Sequence, residues 1–428
     1  MADSAGGSAS SSGVTDRVST SAAKMSDAAG ADPSAVPNGA GPRGATEAAD
    51  GQSGSEGDQA DHVERYDAAL ELLPPPEPVQ LLAPDGTYRA HPDYPLDLSD
   101  DQLREIYRQM VLTRTVDAEA INLQRQGQLA VYASCLGQEA AQVGSASAMT
   151  DDDWVFPSYR ELGVALARGL DPIDLLHLFR GTWLSDHDPY EHNFGLTSIA
   201  IGTHALHATG FAMGAQLDGK PIVTSVYFGD GATSEGDPHE AMTFAGVRNA
   251  PVLFIVQNNQ YAISVPISSQ TAAPTIAHKA VGYGLQGLRV DGNDVLASYA
   301  VTKQAVEQIR AGGRPILLEA VTYRREAHTT SDDAGRYRSD DEVKRAEAND
   351  PINRMRRFLQ ARELFDDAFV KEVEEQGHEA ASRVRANIYD APHGDPLELF
   401  EHVHVDPSGF FDNGGQVEQL AAELEGDA

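Results

Sequence analysis

The sequence predicts an α/β protein built on a doubly wound, mostly parallel sheet. Three short runs rich in β-branched and apolar residues lie at 221–228, 251–256 and 315–321. Such runs are typical of buried parallel strands. Between the first two runs, Asp237 fits a helix N-cap, Pro238 the first helical position and Glu240 the reciprocal cap. A strand, a helix and a second strand in this order indicate a crossover, which places helices on the faces of a parallel sheet.

Composition divides the chain into four segments. They are a disordered acidic Ala/Gly/Ser-rich tail at 1–62, an extended Pro-rich arm at 63–97, an α/β domain at 98–345 and a helical C-terminal region at 346–428. The tail has no aromatic residue before Tyr66, so it cannot bury enough apolar surface to offset its ordering entropy. A tether or docking arm is the alternative for this tail. In the domain, Ser99 and Gln102 predict a capping box that opens the first helix.

The charge and the cysteine content exclude several classes of protein. The 428 residues include 65 acidic and 32 basic side chains, a formal net charge of −33. Nucleic acids and anionic membranes repel such a surface. A single cysteine, Cys135, excludes an internal disulfide framework and is expected to be a small core residue. We find neither a secretory signal nor an apolar run near the roughly 18 residues of a membrane span, and expect a cytoplasmic location.

Two predicted strand ends carry polar residues that suit a cation and a phosphate. The first strand ends in Gly229-Asp230-Gly231, and the next ends in Asn258-Asn259. Because these strands are joined by one crossover helix, the two loops should lie side by side at the carboxyl edge of the sheet. A carboxylate beside an amide carbonyl makes a hard oxygen site suited to magnesium. The flanking glycines allow a diphosphate to approach the backbone.

This pair of loops resembles the thiamin diphosphate motif. Longer runs are similar to the alpha subunit of the decarboxylating component of 2-oxo acid dehydrogenases, at 156–163, 227–264, 288–295 and 323–343. The similarity covers about residues 98–400. The family includes both the pyruvate and the branched-chain enzymes. It implies a thiamin diphosphate-binding fold of the diphosphate type, with thiamin diphosphate and Mg2+ as cofactors. Asp230 and the side chain of Asn259 match the family's magnesium ligands, and Tyr261 matches a residue that contributes its backbone carbonyl.

The resemblance also implies the residues that hold the rest of the cofactor. Those matching diphosphate-site positions are Tyr159, Arg160, Gly229, Gly231 and Ala232. Glycine and alanine would act through backbone N–H groups, whereas the Arg160 guanidinium would form a fork around the anion. Without the family, the Tyr-Arg pair would be an ordinary helix start. His328 matches a histidine at the mouth of the active site, and Ile201 matches, more loosely, the support of the aminopyrimidine ring.

The chain departs from the family in the loop at 185–202, so contacts from that loop cannot be transferred. Histidines and acids near it make zinc conceivable, although a solvated or interface loop fits better. They are Asp186, His187, Asp188, Glu191, His192, His204 and His207. His204 and His207 would share one helix face as packing or interface residues. Thr329, Thr330 and Ser331 match a loop that a kinase phosphorylates in mitochondrial relatives, and a polar mobile loop is the simpler interpretation.

The predicted function is oxidative decarboxylation of a 2-oxo acid with transfer of the acyl group to a lipoyl group. Branched-chain acids come first and pyruvate second. A nicotinamide-dependent Rossmann oxidoreductase would need a third glycine where Ser234 stands, and a non-catalytic assembly subunit would not need Asp230 and Asn259. The glutamate that the family places against the pyrimidine ring has no second cofactor domain here to carry it. We therefore expect a beta chain, in a complex of two alpha and two beta chains, and the lipoyl domain of an acyltransferase as partners.

Overall fold

The computed structural model describes residues 67, 69–181, 187–390 and 422. The predictions for the tail at 1–62 and for most of the chain beyond residue 390 lie outside these residues. The division into four segments therefore stays a prediction. Within the described ranges, no helix is both long enough and apolar enough to cross a membrane.

The regular elements alternate between helix and strand through the middle of the chain. The α-helices are α1 (Asp100–Arg125), α2 (Glu139–Ala146), α3 (Leu162–Ala167), α4 (Pro172–Arg180), α5 (Pro189–His192), α6 (His204–Leu217), α7 (Gly236–Arg248), α8 (Ile267–Gln270), α9 (Val295–Arg310), α10 (Asp340–Glu347), α11 (Pro351–Ala361) and α12 (Asp367–Asn387). The strands are β1 (Trp154–Phe156), β2 (Thr224–Gly229), β3 (Val252–Asn258), β4 (Tyr261–Ala262), β5 (Val265–Pro266), β6 (Gln286–Asp291) and β7 (Ile316–Val321). Short 3-10 helices span Asp230–Ser234, Ile276–Tyr283, Ala334–Arg336 and Ile388–Asp390.

The main sheet has the strand order β1-β2-β3-β7-β6, and every neighbouring pair is parallel. β2, β3 and β7 confirm the three strands predicted from the apolar runs. β2 and β3 are direct neighbours, with Gly229 opposite Gln257 at their carboxyl ends. β4 and β5 form a separate antiparallel hairpin directly after β3. The loops that follow β2 and β3 therefore meet at one edge of the sheet, as predicted.

Helices cover both faces of the sheet. On one face, Tyr227 and Ile255 join a core with residues of α1, α2, α9, α11 and α12. On the other face, Phe228 and Phe254 join a core with residues of α6 and α7. Successive side chains of a strand point to opposite faces, so each strand supplies both cores. The prediction of a doubly wound α/β fold is confirmed.

The two predicted helix starts have different outcomes. At α1 the capping box is present, because Ser99 Oγ accepts from Gln102 N–H at 3.3 Å and Gln102 Oε1 accepts from Ser99 N–H at 2.9 Å. At α7 the predicted N-cap at Asp237 is wrong, because the helix already begins at Gly236 with Glu235 as N-cap. The Asp237 carboxylate instead accepts from Thr203 Oγ1 at 2.9 Å. The Asp237 carboxylate, which the local pattern predicted as the helix cap, therefore bonds to a loop distant in the chain.

The segment before the first helix lies along the outer strand β6. Val79 donates to the carbonyl of Arg289 at 3.0 Å and accepts from Asp291 N–H at 3.0 Å. Leu81 and Leu82, both fully buried, donate their backbone N–H groups to one carboxylate oxygen of Asp294. This segment therefore covers the edge of the sheet, and the sheet carries no exposed ladder along residues 289–291.

Candidate active site

A cavity of about 200 Å³ lies at the carboxyl ends of β2 and β3. Every site residue predicted from the sequence lines it, namely Tyr159, Arg160, Ile201, Gly229, Asp230, Gly231, Ala232, Asn259, Tyr261 and His328. These residues come from five separate stretches of the chain. The fold therefore brings together residues whose common role the resemblance alone had implied.

Asp230 is the first residue after β2 and is 1% exposed. Its Oδ1 accepts from the Asn259 backbone N–H at 3.3 Å, and its Oδ2 accepts from Gln270 Nε2 at 2.5 Å. Burial raises the pKa of Asp230, while these hydrogen bonds lower it by a smaller amount. A buried carboxylate of this kind is stabilised in its charged form by a bound cation.

The side-chain oxygen of Asn259 faces Asp230 Oδ1 at 3.2 Å and the Tyr261 carbonyl at 3.1 Å, while its nitrogen donates to Gln138 Oε1 at 3.2 Å. Three oxygen atoms, from Asp230, Asn259 and Tyr261, therefore face one another. Neighbouring oxygens in an octahedral shell at about 2.1 Å lie about 3.0 Å apart, close to these spacings. The three groups therefore fit a hard divalent cation.

Arg324 fixes the Tyr261 carbonyl. Its guanidinium is fully buried and donates to Tyr261 O at 2.9 Å, to Ile263 O at 2.7 Å and to Tyr337 Oη at 3.1 Å. The hairpin that follows β3 is thereby held from outside the sheet. Sequence reasoning gave Arg324 no role, although it lies in one of the runs that resemble the family, at 323–343.

The lining of the cavity also carries positive charge and a histidine. Arg160 donates to Ser134 O at 2.6 Å and to His328 O at 2.8 Å, and its Nη2 lies 3.2 Å from His328 Nδ1. Tyr159 lies against both groups, with its ring centroid 5.5 Å from the guanidinium carbon and 6.1 Å from the imidazole. A tyrosine, a guanidinium and an imidazole thus line the same cavity as the oxygens suited to a cation. This arrangement suits an anion bridged to a bound cation.

His328 is neutral at physiological pH. Burial, and then the positive charges of Arg160 and Arg324, lower its pKa to about 4. Because Arg160 donates toward Nδ1, we assign the imidazole proton to Nε2. His328 is thus a hydrogen-bond donor through Nε2 and has little imidazolium to serve as a strong acid.

Close packing explains one glycine of the loop. A Cβ on Gly231 would lie 2.7 Å from the Cβ of Ala262 in the hairpin, so no larger residue fits without a shift. A Cβ on Gly229 would meet no atom within 4 Å. Gly231 therefore lets the loop after β2 lie directly against the loop after β3.

A buried polar network supports the Tyr159-Arg160 turn. Glu161 accepts from Ser158 Oγ at 2.9 Å, from Arg160 N–H at 3.1 Å and from Gln257 Nε2 at 2.6 Å. Gln142 donates to Gln257 Oε1 at 2.8 Å. No local sequence signal reveals the contacts of Gln257 with Glu161 and Gln142, because these residues come from β3, the loop before α3 and α2.

Of the remaining candidates, His204 also lines the cavity. His204 is buried and donates through Nε2 to Tyr227 O at 2.7 Å, whereas His207 is exposed. Cys135 is buried, as predicted. In the described part of the chain, no three His, Cys, Asp or Glu side chains gather as a metal centre, and Asp186 of the zinc hypothesis lies outside that part. Thr330 is held by Tyr132, whose N–H donates to its Oγ1 at 3.0 Å.

Comparison with known proteins identifies the family. Residues 107–394 match the model of the dehydrogenase E1 component, so the chain belongs to that family, which depends on thiamin diphosphate. The predicted enzyme class, a 2-oxo acid dehydrogenase, is confirmed.

Individual relatives agree with this assignment. The chain is 50% identical to the 3-methyl-2-oxobutanoate dehydrogenase subunit alpha of Mycobacterium tuberculosis over 348 residues, 81% of this chain and 94% of the relative. It is 40% identical to the pyruvate dehydrogenase E1 component subunit alpha of Bacillus cereus over 309 residues, 72% of this chain and 83% of the relative. The corresponding subunit of Staphylococcus epidermidis is also 40% identical, over 74% of this chain and 84% of its own length.

Proposed function

We propose that the chain is the alpha subunit of a branched-chain 2-oxo acid dehydrogenase. The observation that carries this proposal is the meeting of the Asp230, Asn259 and Tyr261 oxygens with Arg160 and His328 in one cavity. The choice of a branched-chain acid rests on the higher identity to the 3-methyl-2-oxobutanoate enzyme, 50% against 40% for the pyruvate enzymes. Pyruvate is the alternative substrate.

In this proposal, different residues of the cavity bind the metal ion, the diphosphate group and the aminopyrimidine ring. Asp230, Asn259 and Tyr261 hold Mg2+ through oxygen atoms. Tyr159 and Arg160 would hold the diphosphate group together with the backbone N–H groups of Gly229, Gly231 and Ala232, which flank Asp230. Ile201 would support the aminopyrimidine ring. When bound, thiamin diphosphate supplies a nucleophilic carbon and an electron sink for decarboxylation.

His328 acts on the substrate side of the cavity. As a neutral imidazole that donates through Nε2, it orients an oxygen of the 2-oxo acid rather than transferring a full proton. Arg160 holds it in this state by contacting both its Nδ1 and its carbonyl oxygen. The acyl group would then pass to the oxidised lipoyl group of an acyltransferase domain, whose disulfide accepts two electrons as one sulfur forms the thioester and the other becomes a thiol.

A beta chain completes the site. Ile201 and Ile263 line the cavity yet are 44% and 55% exposed, so apolar surface lies open beside it. The described carboxylates that line the cavity are Asp230, Glu161 and Glu235. Asp230 belongs to the cation site and Glu161 already accepts from three donors. The resemblance places the carboxylate that contacts the pyrimidine on a second cofactor domain, which the described residues do not form. We therefore place it on the beta chain rather than at Glu235, in a complex of two alpha and two beta chains in the cytoplasm.

The test purifies the alpha chain alone and mixed with its beta chain. We expect the alpha chain alone neither to decarboxylate a 2-oxo acid nor to bind thiamin diphosphate tightly, and the mixture to do both. In the mixture, kcat/KM for 3-methyl-2-oxobutanoate should exceed that for pyruvate by at least about tenfold, since methyl groups in an apolar pocket are worth about 1–3 kcal/mol. Preference for pyruvate would establish the alternative substrate, and full turnover by the alpha chain alone would refute the shared site.

A further inference from the structure

Ile263 is a residue of the cavity whose backbone conformation its own side chain disfavours. It is the first of the two residues, Ile263 and Ser264, that join β4 to β5. Its φ is 53°, in the left-handed region. Two-residue hairpin turns favour glycine, asparagine or aspartate at such a position, because a branched side chain is crowded by the backbone there. Among the described residues, Ile263 is the only β-branched residue with a positive φ.

Arg324 holds Ile263 in this conformation. Its buried guanidinium donates to the carbonyl of Ile263 at 2.7 Å and to that of Tyr261 at 2.9 Å, so it fixes the hairpin on both sides of Ala262. Strained residues persist where the surrounding contacts hold them, and they are concentrated at ligand sites. Glycine or asparagine would form the same turn with less strain, so the isoleucine calls for a functional explanation.

The side chain of Ile263 presents apolar surface within the site. It lines the cavity and is 55% exposed. Tyr261, two residues earlier, contributes its carbonyl oxygen to the group of oxygens suited to a cation. A cation there would bind the diphosphate group of the cofactor, and the ring that carries this group is the thiazolium. Ile201 is already assigned to the other ring, the aminopyrimidine.

We propose that Ile263 is held in its strained conformation so that its side chain contacts the thiazolium ring of the bound cofactor. This inference rests on the proposed function, because it places a residue against the cofactor of that function. Glycine at this position would leave no side chain on the ring, and asparagine would place a polar amide there. The isoleucine therefore loses turn stability and gains an apolar contact, and such conflicts with a local preference are expected at functional sites.

The test titrates the complete alpha and beta complex with two ligands by calorimetry in the presence of Mg2+. The ligands are thiamin diphosphate and inorganic diphosphate, which has no ring. Ile263→Asn introduces a residue that adopts a positive φ readily and removes the apolar side chain. We expect it to weaken thiamin diphosphate binding by about tenfold, the effect of leaving roughly half of an isoleucine side chain uncovered. Binding of inorganic diphosphate should change by less than about twofold, because the ring contact is absent from it.

Thermal unfolding of the cofactor-free complex separates this role from packing. Because Ile263→Asn relieves the strained turn, the melting temperature should stay the same or rise. Ile263→Val keeps the branching and most of the apolar surface, so it should retain thiamin diphosphate affinity within about threefold. Glu363→Asn is the matched control for relief of a positive φ, because Glu363 has a φ of 58°, is exposed and does not line the cavity. It should leave the affinity for both ligands unchanged.

The outcomes distinguish this inference from the proposed function. A lower melting temperature of Ile263→Asn would show that the side chain packs the hairpin, and equal losses for the two ligands would show a disturbed cation site; either result would overturn the ring contact. Loss of the beta chain from the Ile263→Asn complex in size-exclusion chromatography would assign the side chain to the subunit interface and overturn it as well. Failure of the unmodified complex to bind either ligand would overturn the proposed function itself.

Discussion

Asp117 is a buried carboxylate that connects helix α1 to Arg160 and to the loop after His328 without lining the cavity. It accepts from Tyr132 Oη at 2.9 Å, from Ser134 Oγ at 2.5 Å and from Cys135 N–H at 2.9 Å. The carbonyl of Ser134 in turn accepts from Arg160. Tyr132 also holds the loop after His328, because Thr330 N–H donates to its carbonyl at 2.9 Å. We therefore predict that Asp117→Ala lowers stability and weakens cofactor binding together.

The size of the stability loss follows from the three donors that lose their acceptor. Three buried donors lose their acceptor, at about 1–3 kcal/mol each before the surroundings relax, so we expect a loss of about 3–5 kcal/mol. At about 2–4 °C per kcal/mol for a domain of this size, the melting temperature should fall by roughly 6–20 °C. Displacement of Ser134 removes one support of Arg160, which should raise the apparent cofactor dissociation constant by about tenfold.

The assay combines thermal unfolding with cofactor titration of the alpha and beta complex, and Asp294→Ala is its matched control. Asp294 is also a buried carboxylate and accepts from four backbone N–H groups, those of Leu81, Leu82, Leu296 and Ala297. It does not line the cavity. We expect the control to lose comparable stability and to keep its cofactor constant within about twofold. Equal cofactor constants in the two variants would refute the proposed connection through Asp117.

Three further predictions concern charge. Asp230→Ala removes a charged ligand of the cation, so it should weaken Mg2+-dependent cofactor binding by roughly 30- to 150-fold without unfolding the chain; unchanged affinity in titration calorimetry would exclude it as a ligand. The lowered pKa of His328, about 4, means that its stabilising contribution is lost as the pH falls from 6.5 toward 4, and His328→Asn should make the urea midpoint less sensitive to pH in that window. Burial raises the pKa of Asp294 from 3.8 to about 6, so its stabilising contribution is lost as the pH rises through that interval; Asp294→Asn should remove this loss, and an identical pH profile of the urea midpoint would contradict the assignment.

The parts of the fold that the sequence predicts are those determined by neighbouring residues. The apolar runs identify β2, β3 and β7 because a buried strand needs little beyond its own side chains. The capping box of α1 depends on two residues three positions apart. The paired loops after β2 and β3 follow from the rule that parallel strands end at one edge. The local pattern predicted the wrong helix cap at Asp237, because Thr203, distant in the chain, donates a hydrogen bond to its carboxylate.

The supports of the site were beyond prediction for the same reason. Gln138 and Asn259 are 121 residues apart, and Arg324 reaches Tyr261 across 63 residues. No periodicity connects such positions, and each residue type is common in ordinary buried networks. The resemblance predicted the residues that would contact the cofactor. It did not predict the residues that hold those side chains in place.

The charges around the cavity connect the pKa of His328 to the binding of the diphosphate and the cation. The Arg160 guanidinium donates to the carbonyls of Ser134 and His328, and its charge is the second cause, after burial, of the low pKa of His328. A diphosphate bound at Arg160 would offset that charge, so it would raise the pKa of His328 from about 4 toward the ordinary imidazole range. The cation held by Asp230, Asn259 and Tyr261 would limit the rise, because it neutralises part of the same diphosphate. The pKa of His328 therefore depends on whether the diphosphate and the cation are bound.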